Sequence, residues 1–217
     1  MVAALSLPRR FESLPEQRIL INGVRWKDYV ILREALDTPG LRMTYLEGSL
    51  EIMSPSPAHE TAKKMVARMV ETYAFLLRIP LNGYGSTTFR KEAKERGAEP
   101  DECWMHGRQL EEGGFPDVVL EVIEASPLLD KLAVYDGFGV PEVWIFEGGA
   151  FALHRRRKKG GYERIARSTF MPQLDFDLIA QLAKNKDQQQ ALEDLERSVR
   201  GPRAPKRQLA PRKRRAI

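Results

Sequence analysis

The chain is poor in cysteine: its 217 residues include one, Cys103. A single thiol forms no internal disulfide and no thiolate cluster for zinc, which excludes disulfide-stapled and zinc-finger classes. Long apolar runs are also missing. None approaches the roughly 20 residues that span a bilayer. The N-terminal MVAALSLPRRF has a five-residue apolar run, MVAAL, with its basic pair after it, unlike a secretory signal. The expectation is a cytoplasmic protein with no membrane segment. The three histidines, His59, His106 and His154, are scattered. HETAK at 59–63 opens like the zinc-protease helix but carries Lys63 where the second imidazole must be. GYGSTTF has two glycines at a dinucleotide-loop spacing but no third, and neither a phosphate-binding G-x-x-x-x-G-K-[ST] nor a nucleophile elbow occurs.

Acids are missing from one segment, SVRGPRAPKRQLAPRKRRAI at 198–217, which holds eight Lys or Arg and three prolines. Removing those eight charges from the net +5 leaves residues 1–197 at −3. The body is therefore mildly acidic. The tail reads as disordered, either as an arm that attracts nucleic acid by releasing counterions from phosphates or as a solubilising terminus.

What is present is an ordinary globular composition, 42% hydrophobic and 30% charged, with periodicity that alternates between helix and strand. RILING reads as a strand and WKDYVILREAL as a helix. LRMTYLEGSLEIMS reads as a hairpin turned at Gly48. SPSPAHE opens a long helix whose Ala62, Met65, Val66, Met69, Val70, Tyr73 and Leu76 share one face. STTFRK, DECWM, DVVLEVIE and PEVWIFE are strand candidates, the third buried on both faces. SPLLDKLAVYDGFG reads as a helix with Ser126 as N-cap and Pro127 at its first position. FALHRRRKKGGYERIAR is a hairpin with a cationic tip, and residues from about 177 to 199 read as one polar, mostly exposed helix. The sum is an α/β fold with a mixed sheet: an irregular segment 1–14, a domain 15–185, an exposed helical extension 186–199 and a basic tail 200–217.

In DVVLEVIE, alternation puts Asp117, Val119, Glu121 and Ile123 on one face and Val118, Leu120, Val122 and Glu124 on the other. Glu121 is thus a carboxylate in an apolar strand, costly unless it pairs or binds a cation; an ion pair to Lys131 and a metal role both fit. Asp101, after Pro100, begins the preceding strand. Neighbouring strands lie about 5 Å apart, so the two acids can meet, and two carboxylates plus water suffice for Mg²⁺. A lysine nearby would steady negative charge developing at a phosphodiester. Asp117 shares the face of Glu121 but lies about 13 Å along the strand, too far to share one ion, and reads as a turn residue.

The ordered segments TYLEGSLEIMSPSPAHE, STTFRKEAKERGAEPDECW and PDVVLEVIEASPLLDKLAVYDGFGVPEVWIFE resemble the Uma family of restriction endonucleases, a branch of the PD-(D/E)XK nuclease superfamily. The likeness covers most of the domain. It implies a restriction-endonuclease-like core, a mixed central β-sheet flanked by α-helices, with Mg²⁺ or Mn²⁺ held by Asp101 of EPD and Glu121 of LEVIE. The superfamily's lysine falls two residues after the glutamate, where this chain has Ile123. Lys131 in SPLLDKL is the residue the resemblance offers instead. Glu47 in LEGS matches the family's acidic turn residue, a candidate further ligand, and His59 matches the family pattern as a site residue or as a cap. The implied function is metal-dependent endonuclease hydrolysis of nucleic acid, with DNA the expected substrate and Arg155, Arg156, Arg157, Lys158 and Lys159 gripping its backbone. The alternatives are a nucleic-acid-binding or assembly module without turnover on the same fold, and a structural homodimer with an unrelated small ligand.

Overall fold

A computed structural model describes residues 15–38 and 40–201. The chain begins β1 (Gln17–Asn22), α1 (Trp26–Ala35), β2 (Arg42–Leu46), β3 (Ser49–Ser54) and α2 (Pro57–Leu77). Short strands β4 (Leu81–Gly83), β5 (Phe89–Lys91) and β6 (Arg96–Ala98) follow, then β7 (Glu102–His106), β8 (Val118–Ile123) and α3 (Lys131–Phe138). The last elements are β9 (Glu142–Glu147), β10 (Ala150–Arg156), β11 (Tyr162–Ile165), α4 (Phe176–Leu182) and α5 (Gln188–Arg200).

The α/β class and the mixed sheet flanked by helices are as expected, but the strands divide between two sheets. One has the order β1-β3-β2-β6-β5 and is antiparallel throughout; the other runs β11-β10-β9-β8-β7-β4, with β8–β9 its parallel pair. The reason for the division is that the β2–β3 hairpin has a core of its own. Met43, Tyr45 and Leu50 are buried with Tyr29 of α1, and the Tyr29 and Tyr45 rings stack at 4.8 Å. Glu47 and Gly48 turn this hairpin with φ of 45° and 88°, the left-handed pair that matches strand twist in a two-residue loop.

The centre of the six-stranded sheet is buried on both faces, and β8 shows why. Val118, Leu120 and Val122 pack with Met65, Val66, Met69, Val70 and Tyr73 of α2, while Val119 packs with Val134, Tyr135 and Phe138 of α3. The alternation read from DVVLEVIE therefore assigns the faces correctly, and Glu121 points to the α3 side. Helix α2 is started by Ser56, whose hydroxyl accepts from the His59 N–H at 3.1 Å, with Pro57 in the first turn. This cap fixes the backbone of His59 in the first turn of α2.

Two helix assignments differ from the sequence reading. Helix α3 begins at Lys131, not at Pro127, and Asp130 rather than Ser126 is its N-cap, accepting from Ala133 N at 3.1 Å. Residues 124–130 stay non-helical because carboxylates take their N–H groups: Ala125 N donates to Glu16 at 3.3 Å and Leu128 N donates to Glu51. The helix expected from 177 to 199 is two, α4 and α5, each restarted by an aspartate cap, Asp175 and Asp187. In α5, Ala191 and Leu195 are buried in the α2 core. Residues 1–14 and the tail from 202 lie outside the described residues. Among the described residues no helix is long and apolar enough to cross a membrane.

A Cβ at Gly97 would overlap the Tyr29 phenol, which lies over β6. Gly97→Ala is therefore expected to destabilise by about 1–3 kcal/mol through overpacking. In thermal melts the midpoint should fall by several degrees; an unchanged midpoint would mean that α1 moves freely on its sheet.

Candidate active site

The site is set by strand register. In the antiparallel pairing of β7 and β8, Glu102 faces Leu120 and Cys103 faces Val119. One step further, Asp101 comes opposite Glu121. Directly opposed side chains of an antiparallel pair have Cβ atoms about 4.5–5.5 Å apart. Both acids are shut away from solvent, Asp101 at 2% exposure and Glu121 at 4%.

Each carboxylate is held at two points. Asp101 meets His59 Nε2 through Oδ1 at 2.9 Å and accepts the Val122 N–H through Oδ2 at 2.7 Å. Glu121 accepts from the Tyr135 hydroxyl through Oε1, and its Oε2 lies 3.5 Å from Lys131 Nζ. Lys131 also donates to Thr44 Oγ1 of β2 at 2.8 Å. Lys131 and Tyr135 are four apart on α3, so one helical face presents both to the same acid.

The electrostatics follow from burial and from the order of charges. For Asp101, burial favours the neutral acid, but the His59 hydrogen bond and charge, the Val122 N–H and Lys131 together hold its carboxyl below the usual aspartate range. Glu121 goes the other way. Burial, helped by the Asp101 charge, pushes it above the usual glutamate range against the pull of Lys131 and Tyr135. Burial likewise opposes the charged form of His59, but Asp101 and Glu16 outweigh it and raise the imidazole above its ordinary value. The Tyr135 phenol is raised well above its ordinary value by burial and by Glu121. Two adjacent acids pushed apart in this way, with an imidazole and an ammonium beside them, form one buried cluster of opposed charges.

Against this geometry, the family model described as "Uma2: Putative restriction endonuclease" matches residues 26–183. The chain belongs to the Uma2 family. The comparison with curated proteins found no match. A crystal structure from Anabaena variabilis, described as a putative nuclease belonging to DUF820, aligns with a TM-score of 0.41 at 15% identity, covering 76% of this chain and 98% of that one.

Of the site residues expected from sequence, this Uma2-family chain brings Asp101, Glu121, Lys131 and His59 into one buried cluster. Glu47 is not in it: its side chain is 67% exposed and pairs with Arg96 at 2.8 Å, because the left-handed turn carries it outward. Asp117 serves the loop before β8, accepting from His106 N at 2.9 Å and Arg108 at 2.7 Å. In the cationic hairpin, Arg155 pairs with Glu163 and Arg156 with Asp136, while Arg157, Lys158 and Lys159 are exposed. Cys103 is buried, its thiol pushed up to about 12 chiefly by burial, and is no nucleophile. Sequence reasoning missed Thr44, Tyr135, Glu16, Arg18 and Glu51. Tyr135 alone carried a signal, its i,i+4 spacing from Lys131; the others arrive from the first sheet by long-range contact.

The donors this cluster offers to a metal are two carboxylates. Among the described residues no group of three or more His, Cys, Asp or Glu side chains is arranged to hold an ion, which argues against a closed protein cage of the zinc or calcium type. Two opposed hard carboxylates suit Mg²⁺ or Mn²⁺, ions that keep much of their hydration. Each carboxylate oxygen has a further lone pair beyond the donor it already accepts.

Asp117→Ala is expected to leave the His106 N–H without its acceptor and cost about 1–3 kcal/mol, with the fold retained. Urea unfolding of the variant measures this; a loss below about 0.5 kcal/mol would mean that the loop finds another anchor.

Proposed function

We propose that this Uma2-family protein is a metal-dependent endonuclease that hydrolyses phosphodiester bonds of nucleic acid, DNA in the first instance. The observation that carries the reading is the meeting of Asp101 and Glu121 across β7 and β8 with Lys131 beside Glu121. Asp101 and Glu121 would hold Mg²⁺ or Mn²⁺, which when bound supplies Lewis-acid polarisation of the phosphate and an activated water. The Lys131 ammonium is the group of this chain that can steady negative charge building on the phosphate. His59 and Val122 N fix Asp101, and Tyr135 fixes Glu121, so that neither carboxylate has to reorient during reaction. Register places Glu121 beside Ile145 and Ile145 beside Ala152. The exposed tip 157–159 then begins roughly 16 Å further on, just past the end of β10, at about 3.3 Å per strand residue, a distance suited to gripping a backbone away from the cut.

One observation favours the alternative, a nucleic-acid-binding or assembly module without turnover on the same fold. Asp101, Glu121 and Lys131 are 2%, 4% and 7% exposed, and Lys131 and Tyr135 already engage Glu121. A site that never opens cannot admit a phosphodiester.

Incubation of the purified protein with supercoiled plasmid and single-stranded DNA, with Mg²⁺ or Mn²⁺ and then with EDTA, decides between them. Metal-dependent nicking is expected, falling at least about 100-fold in Asp101→Ala, Glu121→Ala and Lys131→Ala and persisting in Asp117→Ala. Salt-sensitive DNA retention without cleavage would establish the binding module instead. Cleavage that survives Asp101→Ala but not Asp117→Ala would put the site elsewhere.

A further inference from the structure

Residues 16 and 18 lie before the segment matched by the family, 26–183, yet they reach the centre of the site. Glu16 Oε2 is 2.8 Å from His59 Nδ1, and His59 Nε2 is 2.9 Å from Asp101 Oδ1, with the His59 side chain fully buried and that of Glu16 2% exposed. A ring with a carboxylate oxygen at each nitrogen offers an N–H to both in one form, the imidazolium. The Glu16 contact is an ion pair off the hydrogen-bonding axis, whereas the Asp101 contact is a formed hydrogen bond. Catalytic hydrogen bonds in unliganded sites are often misaligned in this way and tighten on binding.

Glu16 is itself held. Its Oε1 accepts from Arg18 Nε at 2.8 Å and from Ala125 N at 3.3 Å. Arg18 continues to Glu51 Oε1 at 2.7 Å, and Glu51 accepts from Leu128 N. The result is a buried ionic chain, Glu51–Arg18–Glu16–His59–Asp101, joining the first sheet, the loop 124–130 and the N-terminal turn of α2. β1 is an edge strand in the described residues, with Gln17, Ile19, Leu20 and Ile21 exposed. Packing such a strand needs no buried ions, and burying them stabilises a fold little or not at all. Their arrangement around one imidazole suits orientation instead.

We propose that Glu16 is a positioning residue of the active site, fixing the Asp101 carboxylate through His59, so that the segment leading into β1 is part of the metal-binding centre. The inference rests on the reading of Asp101 and Glu121 as metal ligands. It follows the general pattern in which a carboxylate behind a histidine orients the ligand set, and loss of such a partner weakens metal affinity about 10–100-fold.

The test is Mn²⁺ binding to the full chain by calorimetry, for wild type, Glu16→Ala, Glu16→Gln, His59→Ala and the double variant Glu16→Ala/His59→Ala, with Gln17→Ala as control. Glu16→Ala is expected to weaken Mn²⁺ binding about tenfold, Glu16→Gln less, and Gln17→Ala not at all. Because Glu16 acts through His59, its substitution should add nothing in the His59→Ala background. Should Glu16→Ala fail to fold by circular dichroism, Glu16→Gln takes its place in the same cycle. Wild-type affinity in the Glu16 variants, or losses that multiply with His59→Ala, would overturn the role of Glu16 while leaving the metal site standing. A wild type that binds no Mn²⁺ would overturn the metal reading, and this inference with it.

Discussion

Two carboxylates facing each other across adjacent strands, out of reach of water, are the constraint around which the rest of the site is arranged. At about 5 Å and an effective dielectric near 20, two such charges repel by roughly 3 kcal/mol, before the cost of burying either. The fold answers with cations and donors from three directions. His59 comes from the capped start of α2, Lys131 and Tyr135 from one face of α3, and the Val122 N–H from the strand itself. Even so, burial and the Asp101 charge keep Glu121 above the usual glutamate range.

The supporting architecture serves this one junction. Helix α2 buries the even side of β8 and helix α3 the odd side, which leaves Glu121 between α3 and the first sheet, where Thr44 anchors Lys131. The first sheet is then more than a flank. Through Arg18, Glu16 and Glu51 it holds the loop 124–130 open, so that α3 starts at Lys131 and presents that lysine in its first turn. The ionic chain and the late helix start are two consequences of the same contacts.

What the sequence made legible was whatever depends on local period. Alternation in DVVLEVIE gave the correct face for Glu121, the spacing in α2 gave its buried stripe, and Pro-Asp at 100–101 marked the partner strand. The same reasoning set Asp117 apart as a turn residue, and its contacts with His106 N and Arg108 place it in the loop before β8. Features set by distant contacts were not legible. Ser126 and Pro127 make a sound helix start by local rules, but Glu16 and Glu51 claim the N–H groups of that loop. Glu47 sits in the right hairpin, yet its left-handed turn sends the side chain to Arg96 and solvent. Glu16 and Arg18 carry no local signal at all, since nothing in EQRILIN marks an edge strand whose start is buried against His59.

The most direct measurement is a crystal structure of the protein grown or soaked with Mn²⁺, with anomalous data collected to locate the ion. One anomalous peak is expected, coordinated by both Asp101 and Glu121, with the remaining ligands water and with His59 still bonded to Asp101. A map with no peak there, or a peak bound elsewhere while Lys131 stays paired to Glu121, would contradict it.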